Sequence, residues 1–344
     1  VESWKLARSG LSQIVLVIVG AIIASGAFFV YKSTAQSAGN GFSVSPTRIV
    51  IGSDKAKPGS TVKTEEITVT NVTSQTVTAQ VDARDFVAGD NEDGTPVVVI
   101  DDQQQPSTTI KDYIEPVDPF TLEPNESKSI EVKINIPANA TPGSHYGAIL
   151  FTAQNGGSDD NVALSASVGP IVLMEVDGDL ETDLQLVEAS AAKDGDDDPT
   201  TPSDLGSYFT GGPLSVVLRL QNNGNTFLQP SGTIQVKNMF GGVVDDFELN
   251  SPDNAATERD YVLPDQIRRF EDKLSDKLYF GRYTIEGTVS YIGGSGDLIQ
   301  VNQSFWVVPY WLLAIIAVVI ALIVMLPKMF KGYNRRVINK SRRG

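Results

Sequence analysis

TVKTEEITVTNVTSQTVTAQVDARDF, residues 61–86, sets the pattern that decides the fold. It reads as two strands parted by a polar Asn-Val-Thr-Ser turn, with Val77, Ala79 and Val81 on one face of the second. SIEVKINIP (129–137) repeats the pattern, alternating Ile130, Val132, Ile134 and Ile136 against polar or charged neighbours. Alternation of this kind, with a turn signal every 8–12 residues or so, predicts an all-β sandwich rather than a helical or α/β domain. FEDKLSDKL (270–278) is the one stretch that could form two helical turns before the C-terminal segment.

The pattern occurs twice. ITVTNVTSQTVTAQV, TLEPNESKSI and PGSHYGAILFTA in the first half find counterparts in VVLRLQNNGNTFLQPSGTIQV, YVLPDQIRRF and YFGRYTIEGTVSY. Pro124 aligns with Pro264, Lys128 with Arg268, Ile130 with Phe270 and Tyr146 with Tyr283, with Gly143 and Gly281 just upstream of the tyrosines. Two tandem immunoglobulin-like β-sandwiches are expected, over 43–175 and 181–307, the second carrying an acidic loop at 193–204. Each asparagine-rich turn is expected to close a hairpin.

An apolar segment lies at each end. Residues 307–326, containing WLLAIIAVVIALIVML (311–326), have the length and composition of a transmembrane helix. Trp306, Tyr310 and Trp311 gather at its start as a membrane-interface belt, and Lys328 and Lys331 open a basic tail over 327–344. Residues 1–35 are basic, then apolar from Ile14 to Val30, then small and polar, as in a signal peptide or signal anchor. Ser33 and Ala35 suit cleavage before Gln36, while the length of the apolar run suits retention. Either version places 36–308 outside the cell membrane and the tail in the cytoplasm.

Charge and composition exclude several functions. The stretch 36–308 holds 17 basic against 41 acidic residues, which repels nucleic acid. Cysteine is absent and histidine occurs once, so thiol chemistry and His-rich zinc sites are excluded. The single histidine, His145 in PGSHYGAILFT (142–152), falls opposite Arg282 in the repeat and reads as a structural, strand-edge residue.

No catalytic or cofactor-binding residues stand out. GDNEDGTP offers Asp90, Glu92 and Asp93, and DGDDDP offers Asp194, Asp196, Asp197 and Asp198. These are weak Ca²⁺ candidates that lack the spaced pattern of a calcium loop, and solvated turn acids account for them. Asn71, Asn125, Asn139 and Asn302 head N-x-[ST] triplets as expected by chance in Asn/Thr-rich turns, and Tyr279, Phe280, Tyr283 and Tyr291 suit core packing better than sugar stacking.

FSVSPTRIVI, PGSTVKTEEITVTNVTSQTVT, PFTLEPNESKSIEVKINIP and PGSHYGAILF, followed by VVLRLQNNGNTFLQPSGTIQV and VLPDQIRRFEDKL, resemble the WxL-interacting family of Gram-positive cell surfaces. The resemblance implies a peptidoglycan-binding first domain and a second domain that engages another surface protein, without catalytic residues. The function expected on this basis is that of a membrane-anchored scaffold holding a cell-wall polymer or a surface protein. The alternative is a membrane-tethered, chaperone-like or pilus-type assembly factor, and a third reading is a wall hydrolase.

Overall fold

The computed structural model describes residues 41–89, 91–99, 107–154, 167–193, 205–252, 259–274, 280–292 and 298–341. The leader expected over 1–35 lies outside them, as do Asp90, Asp194, Asp196, Asp197, Asp198 and Tyr279.

Alternating side chains build two separate β-sheet clusters. The first contains β1 (Phe42–Ser45), β2 (Arg48–Ile51), β3 (Thr61–Lys63), β4 (Ile67–Asn71), β5 (Val77–Ala88), β6 (Pro96–Val98), β7 (Phe120–Leu122), β8 (Ser127–Ile130), β9 (Lys133–Asn135), β10 (Gly143–Gln154), β11 (Ser167–Val168) and β12 (Ile171–Val176). A three-stranded sheet β1-β4-β8 faces a larger sheet ordered β2-β12-β10-β5-β6, with β11 and β7 attached and β3-β9 as a separate pair. Strand β4 shows why they stack: Ile67, Val69 and Asn71 are buried while the intervening threonines are half-exposed. Ile67 and Val69 meet Ile149, Phe151 and Val172 of the larger sheet in one core.

The second cluster contains β13 (Leu184–Lys193), β14 (Tyr208–Phe209), β15 (Leu214–Asn222), β16 (Gln229–Asn238), β17 (Val243–Leu249), β18 (Gln266–Lys273), β19 (Gly281–Ile292) and β20 (Ile299–Val307). Its sheets are ordered β13-β15-β18 and β14-β20-β19-β16-β17. Val216, Leu218 and Leu220 of the first pack on Ile234, Ile285, Val301 and Phe305 of the second. Each such side chain, fully buried, contributes about 1.5–3 kcal/mol.

The register shows the same construction used twice. In β4–β8, Ile67 faces Ile130 and Val69 faces Lys128. In β15–β18, Leu218 faces Phe270 and Leu220 faces Arg268. The asparagine-rich turns are not the expected hairpins, however. Strand β4 pairs with β1 and β8 while β5 pairs in the other sheet, and β15 and β16 are divided in the same way.

A buried asparagine makes each crossing possible. The Asn71 amide donates to the carbonyls of Gln75, Leu122 and Glu123, and its oxygen accepts from the Thr73 N–H. The Asn222 amide donates to Thr226 and Val262, and its oxygen accepts from the Gly224 N–H. Both asparagines are fully buried. Backbone groups that leave a sheet must find partners elsewhere, and these amides supply them at the crossing. The Asn71 and Asn222 carbonyls in turn accept from the N–H groups of Asn125 and Asp265, each at positive φ directly after the paired prolines.

Two further expectations are revised. FEDKLSDKL does not begin as a helix, because residues through Lys273 belong to β18. Val307 of the expected membrane segment ends β20, where it pairs with Gly281. The helix α1 (Tyr310–Ser341) starts three residues later. Its stretch Tyr310–Lys328 has a mean hydropathy of 2.7 and no buried residue, so it is long and apolar enough to cross a membrane. At 1.5 Å per residue, 19 residues cover about 29 Å, close to the thickness of the hydrocarbon core.

Candidate functional site

The two clusters meet at one end of β10. Gly143 has φ +110, and a Cβ there would lie 2.4 Å from the Asn225 carbonyl oxygen. Only glycine allows both that backbone and that approach. The Ser144 N–H then donates to the Asn225 carbonyl at 2.8 Å, and the Ser144 hydroxyl accepts from the Phe227 N–H at 2.7 Å. The Thr226 hydroxyl donates to the Glu175 carboxylate. Beside these bonds, Phe86, Tyr146 and Leu173 of the first cluster pack against Phe227, Tyr261 and Leu263 of the second.

Ion pairs close the rest of the junction. Arg219 makes a two-pronged contact with Glu92, at 2.6 and 2.7 Å, and also reaches Glu188 at 3.1 Å. Hydrogen bonding to Glu92 raises the guanidinium above its ordinary pKa against the opposing effect of burial. Arg48 bonds the Arg259 carbonyl and Asp260 and lies over the Tyr261 ring. Arg268 pairs with the other oxygen of Asp260 at 2.7 Å. Burial pushes Arg268 below the usual arginine value, with Asp260 acting in the opposite direction.

A cavity of about 340 Å³ opens here, lined by Asn91, Asp93, Asn250, Asp260, Arg268 and Arg269 among others. The buried Arg269 Nε and Asn91 Oδ1 have no hydrogen-bond partner among the described residues. A polar group entering the cavity would therefore meet a donor and an acceptor already desolvated. Burial acts to raise the Asp93 carboxyl, but hydrogen bonds from Thr95 and Asn91 and the charge of Arg268 hold it below the usual range.

Strand β17 leads from the far side of its sheet into this cavity, since Asn250 follows its last residue. It ends its sheet, and no strand among the described residues pairs with its outer edge. Asp245, Asp246 and Glu248 make it acidic. A second concavity of about 720 Å³ lies on the outer face of β16, β19 and β20, lined by Thr233, Gln235, Lys237, Glu286, Thr288 and Asn302 among others.

The residues singled out in the sequence are dispersed. Glu92 is taken up by Arg219, and Asp93 accepts from its own turn. Among the described residues no group of three or more His, Cys, Asp or Glu is placed to hold a metal. Asn71 is committed to the sheet crossing. Tyr283 is buried, Tyr291 packs partly against the second core, and Phe280 is exposed.

His145 is structural but buried. It sits in β10 opposite Met174 of β12, before the register with β5 begins at Gly147, and is only 1% exposed, while Arg282 faces solvent. Its ring nitrogens lie 2.9 Å from the carbonyl oxygens of Thr109 and Thr141, so the ring straps two loops together. The residue before Tyr146 and the residue before Tyr283 differ because two residues separate Gly143 from Tyr146 and one separates Gly281 from Tyr283.

Of the expected interface residues, Tyr310 and Trp311 open α1 and are exposed, as is Lys328. Trp306 belongs instead to β20, with its side chain exposed on the outer face of the sheet. Lys331 lies in α1. The arginine pairs across the junction join residues more than 100 positions apart and left no local sequence signal, although Glu92 stood in a turn already noted for its acids.

No family model and no curated protein matches this chain. Among solved structures it is similar to the chaperone DraB of E. coli, at 15% identity and TM-score 0.34, over 76% of this chain and 98% of that one. It is similar to the CupB2 chaperone of Pseudomonas aeruginosa at 11% identity and TM-score 0.32, over 76% and 100%. It is also similar to the class 5 fimbriae chaperone CfaA at 11% identity and TM-score 0.33, over 78% and 99%. At such scores the likeness carries nothing about activity. The expected kinship with the WxL-interacting family is corrected, since no family model matches the chain. The peptidoglycan-binding role that the kinship implied loses that basis.

Proposed function

We propose that this chain is a membrane-anchored, extracytoplasmic module that binds an extended protein segment, as a tethered assembly factor would. It works by binding, without catalysis. In this reading 43–175 and 181–307 are two immunoglobulin-like domains, α1 is the anchor, and the basic residues after Leu326 stay in the cytoplasm.

The observation that carries the reading is the open edge of β17, seven residues long and ending at the junction cavity. Backbone pairing along such an edge supplies affinity, and side-chain sites at its end supply register. The acids of β17 favour a cationic segment, with its end in the cavity beside Arg269 Nε and Asn91 Oδ1.

A photo-crosslinking residue at Asp246 of the full chain, in the native membrane, tests this. The expected result is a discrete protein adduct that is lost when Asp245 and Glu248 are both changed to Lys with the probe kept at position 246. An Asp246 probe that yields no protein adduct, or one that attaches only to wall polymer, would overturn strand addition.

A further inference from the structure

The second β-cluster has an apolar rim at the end from which α1 leaves. Three pairings place its members side by side. Tyr208 faces Trp306 across β14 and β20, Arg282 faces the same Trp306 across β19 and β20, and Asn238 of β16 faces Tyr283 of β19. The turn after Asn238 therefore reaches the level of Gly281 and Val307. Met239 confirms this position, since its Sδ and Cε would lie 3.4 Å from a Cβ at Gly281. With strands about 4.8 Å apart, the turn is about 10 Å from the end of β20.

The exposed residues at this rim are large and apolar. Phe240 at the tip of the turn is 90% exposed, Tyr208 is 61%, and Met239, Phe280 and Trp306 are between 42% and 47%. Residues 206–213, 238–244, 280–284 and 304–311 contain no acid, although 36–308 holds 41. Their single charge is Arg282, beside Trp306. A row of Tyr, Trp and Arg with a protruding Phe matches the headgroup layer of a bilayer, where aromatic rings and long cations are favoured. An anionic membrane surface would repel acids, and these four stretches of described residues contain none.

We infer that this rim contacts lipid, with Phe240 and Met239 entering the headgroup layer and Arg282 meeting phosphate, so that the second cluster rests on the bilayer. The inference builds on the reading of α1 as a membrane span. It fixes which end of the cluster faces the membrane and which residues touch it.

Because the chain has no cysteine, single-cysteine variants of the full-length protein can each carry one environment-sensitive fluorophore. Phe240→Cys probes the rim, Leu298→Cys the exposed far end of β20, and Ile320→Cys the middle of α1. Circular dichroism of each labelled variant checks that the β fold is kept. Each is reconstituted into phosphatidylcholine vesicles that contain nitroxide lipid, labelled either at headgroup depth or at the chain end. The expected result is quenching of the Phe240 label by the headgroup nitroxide, at least about twice that of the Leu298 label. The Ile320 label is quenched by the chain-end nitroxide. If Phe240 behaves like Leu298 while Ile320 is quenched, the rim inference is overturned and the span stands. If Ile320 is also unquenched, the span fails and the rim inference with it.

Discussion

Gly143 and Gly281 each open a strand of 12 residues, both at positive φ and both just ahead of a buried tyrosine, yet they face different neighbours. Gly143 is pressed against the backbone of the second cluster, and Tyr146 helps to fill the space between the two. Gly281 meets only the flexible Met239 side chain, and Tyr283 lies inside its own core. One corner has become a joint between clusters, while its repeat stays at the end next to the helix. The buried asparagines, by contrast, do the same work in both places. The repeated parts are those that build a sandwich, and the parts that differ are those that decide what the sandwich touches.

The largest test of this comparison concerns the shared feature. Asn71→Ala and Asn222→Ala each strand several buried backbone groups, and each is expected to cost about 3 kcal/mol in urea denaturation. A clear inequality between the two would break the claimed equivalence of the crossings.

Substituting the glycines should separate the corners. Both Gly143→Ala and Gly281→Ala incur backbone strain of roughly 1–3 kcal/mol, but Gly143→Ala must also push the Asn225 backbone aside. It is expected to be the more damaging by thermal melting and to lengthen spin-label distances between the clusters. Gly281→Ala should leave those distances unchanged.

Arg219→Ala removes the two-pronged pair and leaves the Glu92 carboxylate partly desolvated. A loss of about 2 kcal/mol in the coupling between clusters is expected, read as faster proteolysis between them with each core intact. No change in proteolysis would mean that the Ser144 and Tyr146 contacts suffice.

The smallest effect concerns pH. The folded carboxyl of Asp93 lies below its ordinary value, so its contribution is present above the ordinary aspartate pKa and is lost as pH falls through the folded value. Asp272 acts in the opposite sense, because burial and Glu271 raise it, so its contribution is full at low pH and lost as pH rises. Asp93→Asn should therefore reduce the acid sensitivity of the urea midpoint, and an unchanged acid limb would remove Asp93 from the joint.

The alternation at 61–86 and 129–137 was legible because a half-buried strand shows its period directly in the chain. The repeat was legible too, down to the match of Lys128 with Arg268, which stand opposite Val69 and Leu220 in equivalent places. The sheet crossings were not, because a polar break between two alternating runs looks the same whether the strands pair or part. What distinguishes them is whether the asparagine amide finds acceptors at Leu122 or Val262, and such distant partners leave no local trace. The same holds for Arg219 with Glu92 and for the rim that gathers Tyr208, Phe240 and Trp306. His145 was misplaced by one extra residue, Ser144, which changes the step from glycine to tyrosine.

Only Val308 and Pro309 separate β20 from α1, and the Val308 N–H is held by the Phe209 carbonyl. That leaves no slack. A tilt of the helix would therefore be handed directly to β20 and the core it belongs to.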